Sequence, residues 1–171
     1  MHRYDTFWAR FWAINIDGFI INIVLQVFKI FPTSESSLIA FLLTMLAVNI
    51  PYLYAVLMLG KYGQTIGKMV MKVKVVDKTT EDRLSYFQSF MREAVPIFLV
   101  NTVLLLNYIL FSDIDVKTFN LSALGYVLLY LPLGMIVIWS VLEIVTMLFD
   151  EKNRALHDKI ADTVVIKADY Y

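Results

Sequence analysis

The sequence predicts an all-α membrane protein, a bundle of four transmembrane helices with a small cytoplasmic β-ribbon and a short amphipathic interfacial helix. Of the 171 residues, 59% are hydrophobic and only 18% are charged, whereas soluble domains average about 45–50% apolar residues. Four stretches of the chain are also long and apolar enough to cross a membrane, which takes about 20 residues in a helix.

The predicted spans follow one another along a single domain that covers residues 1–171. They are residues 7–31, 38–59, 94–111 and 121–148, and the polar segments are residues 60–93 and 149–171. The first span is not a cleavable signal peptide, because it is long, contains Arg10 and Asp17, and is followed by no small-residue cleavage site.

Positive charge lies mainly on one predicted side of the membrane. Thirteen of the 15 lysine and arginine residues fall in the N-terminal segment and first turn, in residues 60–93 or in residues 149–171. The positive-inside rule then places both termini and both polar segments in the cytoplasm.

The polar segments have patterns of their own. Within residues 71–76, lysine alternates with valine from Lys72 to Val75, and residues 163–167 are rich in β-branched side chains. We therefore expect these two strands to pair as a ribbon. Residues 85–93 predict an amphipathic helix that lies in the membrane interface before the third span. The glycine-rich residues 60–68 predict a tight turn, because their spacing does not fit a phosphate-binding loop.

The residue pattern favours no enzymatic chemistry. The 15 basic and 15 acidic residues cancel, so nothing suggests a nucleic-acid partner. The chain has no cysteine and only two histidines, at opposite ends, His2 and His157. No zinc-protease or serine-hydrolase motif is present, and we therefore expect a protein that is not an enzyme and has neither cofactor nor metal.

Asp17 is the residue whose placement in the membrane costs the most free energy among those in the predicted spans. It lies about ten residues into the first span, roughly 15 Å deep, where an ionisable group suggests a function by default. Arg10 is seven residues earlier and shares its helical stripe, so we expect it to be the electrostatic partner of Asp17. Glu143 lies late in the fourth span, nearer the cytoplasmic end.

The first span also has polar residues on another stripe. Asn15, Asn22 and Gln26 lie away from Asp17 on the helix. The first helix must therefore face protein or water on more than one side, which predicts a bundle larger than the four helices of one chain.

The chain resembles the RDD family of bacterial membrane proteins, which is named for an arginine and two aspartates. The resemblance rests on Arg10 with Asp17, the turn at residues 63–68, Arg92, and residues 154–165. It implies that Asp158 is the second aspartate and that Arg154 and His157 belong to the same motif. It also implies a place in the bacterial inner membrane. Transport of an unknown ligand has been proposed for the family, and sodium/proton antiport for some of its members.

Two hypotheses of different classes remain. The first is a small oligomeric transporter or ion-coupled antiporter, in which Asp17 binds a cation or proton, Arg10 tunes it, and Asp158 with Arg154 forms a cytoplasmic gate. The alternative is a structural or assembly protein whose buried charges lock its helices to each other and to partner subunits or further copies. Because alternating access usually uses paired repeats, the lack of a visible internal repeat counts against transport. A water-exposed Asp17 favours the first hypothesis, and a dry, fully paired Asp17 favours the second.

Overall fold

The computed structural model describes residues 3–28, 37–111 and 123–170. Within these ranges four helices are long and apolar enough to cross a membrane, which confirms the predicted class. They are α1 Phe7–Phe28, α2 Ser37–Tyr62, α4 Tyr86–Phe111 and α5 Ala123–Phe149. Most of their side chains face outward, where the lipid bilayer would surround them, and little of each span is buried within the chain.

Helix α4 is continuous from Tyr86, so residues 85–93 do not form the separate interfacial helix that the sequence predicts. Pro96 lies inside the helix but does not end it, because neighbouring helices make proline tolerable in membrane spans, and α4 packs between α2 and α5. The apolar face that predicted an amphipathic helix is nevertheless present, since Phe87 and Phe90 are 69% and 45% exposed.

The helices α2 and α4 are joined by a pair of asparagines. Asn49 Nδ2 donates to Asn101 Oδ1 at 2.9 Å, and Asn101 Nδ2 donates back to Asn49 Oδ1 at 3.0 Å. Such amide pairs stabilise helix contacts in a membrane by up to about 2 kcal/mol. The pair fixes the height of α2 relative to α4.

The predicted ribbon is confirmed. Strands β1, Val73–Asp77, and β2, Thr163–Lys167, pair antiparallel, with Val75 opposite Val165. Val75 and Val165 pack with the α2 residue Leu59 on one side of the ribbon. Strand β2 also has buried residues on its other side, which explains why its sequence is a continuous apolar run rather than an alternation.

A five-residue helix precedes each strand. Helix α3, Ile66–Val70, begins after Thr65, whose side chain accepts a hydrogen bond from Lys68 N at 3.4 Å. Helix α6 is Leu156–Ile160. The tight turn predicted at residues 60–68 is therefore the end of α2 followed by the start of α3. We call residues 63–84 and 150–170 the cap.

The cap contains a structural repeat, which lies outside the membrane spans. Gly63 and Asn153 have left-handed φ values of 70° and 50°, and Lys72 and Asp162 have 53° and 51°. Each pair is separated by 90 residues (153 minus 63, 162 minus 72). In each unit a short helix and a strand follow the first left-handed residue, and the second left-handed residue lies between them.

The hydrogen bonds of the ribbon follow the same symmetry. Lys78 N donates to Asp162 O at 3.0 Å, and Ala168 N donates to Lys72 O at 2.8 Å. Val75 and Val165 face one another at the centre, so a local two-fold axis passes between them. Only the backbone plan repeats, since Gly67 and Lys68 in one unit correspond to His157 and Asp158 in the other.

Candidate functional site

Asp158 is the centre of a buried polar network between the helices and the cap. Its side chain is 0% exposed. Oδ2 accepts from Arg10 Nη2 at 2.7 Å and from Ala155 N at 3.0 Å, while Oδ1 accepts from Arg92 Nη1 and from Thr163 Oγ1 at 3.3 Å. Burial alone would raise the pKa of Asp158, but the charges of Arg10 and Arg92 outweigh it and hold the pKa below its ordinary value.

The two arginines reach Asp158 from different helices. Arg10 lies in the first turns of α1 and Arg92 in those of α4, and both are buried. Arg10 Nη1 also donates to Asn153 O at 3.0 Å, and Arg92 Nη1 donates to Thr163 Oγ1 at 2.5 Å. A buried charge is strongly unfavourable unless it is paired and hydrogen-bonded, so these contacts hold both helices to the cap.

His157 extends the network towards α5. Its Nε2 lies 2.8 Å from Arg92 Nη2, and its Nδ1 lies 2.6 Å from Glu143 Oε2. Because arginine only donates hydrogen bonds, we assign Nε2 as the acceptor and Nδ1–H as the donor to Glu143. His157 therefore links Arg92 to Glu143.

Five residues singled out in the sequence therefore meet in one place: Arg10, Arg92, Glu143, His157 and Asp158. Asp158 contacts both Arg10 and Arg92. Glu143 Oε1 also accepts from His157 N at 3.2 Å, so α5 holds the first turn of α6. The network draws together α1, α4, α5 and α6.

Arg154 lies outside this network and pairs with Asp150 instead of Asp158. Its Nε and Nη2 donate to Asp150 Oδ2 and Oδ1, both at 3.0 Å. Asp150 lies four residues earlier, in the turn that leaves α5, and therefore presents the nearer carboxylate. Lys159 Nζ is also 3.1 Å from Asp150 Oδ1. Asp150, Arg154 and Lys159 therefore form a second cluster, which stabilises the turn between α5 and α6.

Asp17 forms a separate buried site. Its Oδ1 accepts from Tyr54 Oη at 2.9 Å and from Gly67 N at 2.8 Å, and its Oδ2 accepts from Thr65 Oγ1 at 2.5 Å. The residue is 9% exposed. Tyr54 Oη in turn accepts from Ile66 N at 2.9 Å, so Asp17 ties α1 to the end of α2 and to the start of α3.

Asp17 and Arg10 do not contact each other. Both residues lie on the inward face of α1, as their spacing predicts, but two turns of helix separate them by roughly 10 Å along the axis. Arg10 points into the cap and bonds Asp158, whereas Asp17 is satisfied by neutral donors.

The sequence did not predict the partners of Asp17, although it singled out the glycine-rich turn. A Cβ on Gly67 would lie 2.1 Å from Ala13 O and 2.9 Å from Asp17 Cγ. Glycine is therefore required there because the backbone of α3 lies directly against α1. Thr65, at the N-cap of α3, was the available sign that a hydroxyl donor is held beside that glycine.

Two sequence comparisons match the chain to known proteins. A sequence model of the RDD family matches residues 4–162. The chain is 33% identical over 101 residues to the uncharacterized membrane protein YteJ of Bacillus subtilis (strain 168), a match that covers 55% of this chain and 62% of that protein. The match therefore spans less than two thirds of this relative. No solved structure matches the chain.

Proposed function

The chain belongs to the RDD family, and on that premise we propose that it is an assembly protein of the membrane. Its buried charges lock the helices to the cap and so produce a fixed unit that packs against other membrane subunits. In this proposal Asp17 is part of the lock and not a site that loads and releases a cation.

The observation that carries the proposal is the environment of Asp17. Its carboxylate accepts three hydrogen bonds, from Tyr54, Thr65 and Gly67, and it is almost fully buried. A carboxylate that exchanges a cation needs a route to water, and only 9% of Asp17 is exposed. A nearly buried carboxylate whose donors come from three parts of the chain favours a structural role.

The Asp158 network supports the same proposal. Asp158 is completely buried, and its partners Arg10 and Arg92 have exposed side-chain fractions of 7% and 2%. Removing one member of such a set leaves a buried charge unpaired, which is strongly destabilising. The network is therefore suited to hold one arrangement of helices.

Substitutions of Asp17 separate hydrogen bonding from charge. Asp17→Asn retains an oxygen for Tyr54 and Gly67, and the Thr65 hydroxyl can accept from the new amide. We expect its free energy of unfolding in detergent to stay close to that of the wild type. Asp17→Ala leaves three donors without an acceptor. Its free energy of unfolding should fall by up to about 1–3 kcal/mol for each unsatisfied donor.

Thermal unfolding in detergent, followed by circular dichroism, measures this difference. Asp169→Asn and Asp169→Ala are matched controls at an exposed position in the C-terminal turn, and neither should change stability. If Asp17→Asn were as damaging as Asp17→Ala, the charge itself would be required, which contradicts the proposed role.

Proton- or ion-coupled antiport is a second candidate, and one observation favours it. The side chains of His157 and Glu143 are 25% and 17% exposed, so water can reach this pair although it cannot reach Asp158. A proton on Nε2 of His157 would face Arg92 and perturb the whole network. If the protein is an antiporter of this kind, Glu143→Gln should abolish proton-coupled flux in liposomes. Unchanged flux in that variant would reject the antiport function.

We further propose that the protein lies in the bacterial inner membrane with the cap and both termini in the cytoplasm. The excess of lysine and arginine in and around the cap supports this orientation. Single cysteines can test it because the chain has none of its own. Ser36→Cys and Thr118→Cys should react with an impermeant thiol reagent in intact cells.

In the same experiment Thr80→Cys and Asp169→Cys should react only after the membrane is permeabilised. Both positions are exposed in the cap, so a failure to react after permeabilisation is not expected. The reverse labelling pattern would place the cap outside.

A further inference from the structure

The outward face of α1 has a row of side-chain amides. Asn15, Asn22 and Gln26 are all exposed, and steps of seven and four residues keep them within about 40° of one another around the helix. Arg10 and Asp17, which bond the rest of the chain, lie on the opposite side of α1. The row spans roughly 16 Å along the axis at about 1.5 Å per residue, about half of the hydrocarbon layer.

These amides are only partly hydrogen-bonded. Asn15 Nδ2 donates to Phe11 O at 2.8 Å, and Gln26 Nε2 donates to Asn22 Oδ1 at 3.3 Å. Among the described residues nothing bonds Asn15 Oδ1, Asn22 Nδ2 or Gln26 Oε1. Lipid chains offer no donors or acceptors, so unpaired amide groups are costly at this depth.

We propose that this row, with Gly18, is the surface on which a second copy of the chain packs, α1 against α1. We call Asn15, Gly18, Asn22 and Gln26 the amide face. The inference rests on the proposed assembly function and names the partner. It is an interaction of two uncharged surfaces inside the membrane.

Self-complementarity points to a second copy as the occupant. Each of the three amides keeps a free N–H, and Asn15 Oδ1 and Gln26 Oε1 accept nothing among the described residues, so the same residue of a second copy can supply each missing partner. Two copies in one membrane have the same topology, which makes their α1 helices parallel about an axis along the membrane normal. Asn22 then faces Asn22 of the other copy.

Gly18 allows the close approach that such a contact needs. A Cβ built on Gly18 meets nothing within 4 Å, so the absence of a side chain is not required by packing within this chain. Small residues at helix interfaces in membranes let two backbones come close enough for side-chain amides to bond. Gly18 lies between Asn15 and Asn22, where the two helices would be nearest.

Cysteine crosslinking of the full chain in liposomes tests the contact. Asn22→Cys should form disulfide-linked dimers under mild oxidation. Ile23→Cys and Val24→Cys are matched controls on the same helix, 54% and 43% exposed but turned about 100° and 160° away from Asn22. We expect several-fold more dimer from Asn22→Cys, and equal or lower yield than in the controls would overturn the proposal.

The triple variant Asn15→Leu, Asn22→Leu, Gln26→Leu provides a second measurement. Leucine at these exposed positions suits lipid and is not expected to impair folding. Light scattering in detergent should give a dimer for the wild type and a monomer for the triple variant. A monomeric wild type, or a triple variant that still dimerises, refutes this interface. The result with Asp17→Asn and Asp17→Ala is independent of either outcome, so the assembly function can fail or stand separately.

Discussion

Asp158→Asn is expected to lower the free energy of unfolding by about 3–5 kcal/mol, the usual cost of breaking a buried ion pair from one side. The asparagine can still accept hydrogen bonds, but it no longer compensates Arg10 and Arg92, which remain buried. The cap should then separate from α1 and α4. Unfolding in detergent, with the yield of folded protein as a second readout, measures the loss.

Asp169→Asn, at an exposed position of the cap, is the control for this substitution and should behave as the wild type. Acid offers an independent check. Because the pKa of Asp158 in the folded protein lies below its ordinary value, its contribution to stability is present above about pH 4 and is lost as the pH falls below that. The stability of the Asp158→Asn variant should therefore decrease less in acid than that of the wild type. If Asp158→Asn and Asp169→Asn were equally stable at neutral pH, the role of the network would be refuted.

Gly67→Ala is expected to destabilise the protein by about 1–3 kcal/mol or more, as overpacking does in a filled core. Helix propensity alone predicts the opposite sign, since alanine is favoured over glycine inside a helix by roughly 1 kcal/mol. The added Cβ, however, would overlap the backbone oxygen of Ala13. To relieve this overlap α3 must move away from α1, and that movement also breaks the hydrogen bond from Gly67 N to Asp17.

Gly134→Ala is the matched control for this prediction. Gly134 lies in α5, and a Cβ there meets nothing within 4 Å, so alanine should be neutral or mildly stabilising. The measurement is the unfolding midpoint of both variants in the same detergent. Equal midpoints would show that α3 does not lie against α1 as described.

The parts of the fold that follow from local patterns could be predicted from the sequence. Helices that cross a membrane need only length and low polarity, and the two strands show in the valine-rich runs around Val75 and Val165. The contact of Asp158 with Arg10 and Arg92 could also be predicted, because both strands and all three charged residues fall on the predicted cytoplasmic side of the membrane. Burial of charge there demands compensation.

The partners of Asp17 could not be predicted in the same way. Thr65 and Gly67 lie 48 and 50 residues further along the chain and meet Asp17 only because α3 folds back against α1. A helical wheel shows that Asp17 and Arg10 share a face but gives no information on which neighbour each one bonds. The repeat in the cap was equally hidden, because backbone conformation repeats while His157 and Asp158 replace Gly67 and Lys68.

The central claim is that the buried charged residues stabilise the structure and do not bind a transported ion. A measurement of cation flux tests it most directly. Wild type and Asp17→Asn would be reconstituted in liposomes, checked for equal oligomeric state, and assayed for sodium and proton movement against protein-free liposomes. The account predicts the same flux for both proteins, because Asp17 binds Tyr54, Thr65 and Gly67 rather than a transported ion. A saturable flux in the wild type that disappears in a correctly assembled Asp17→Asn variant would contradict it.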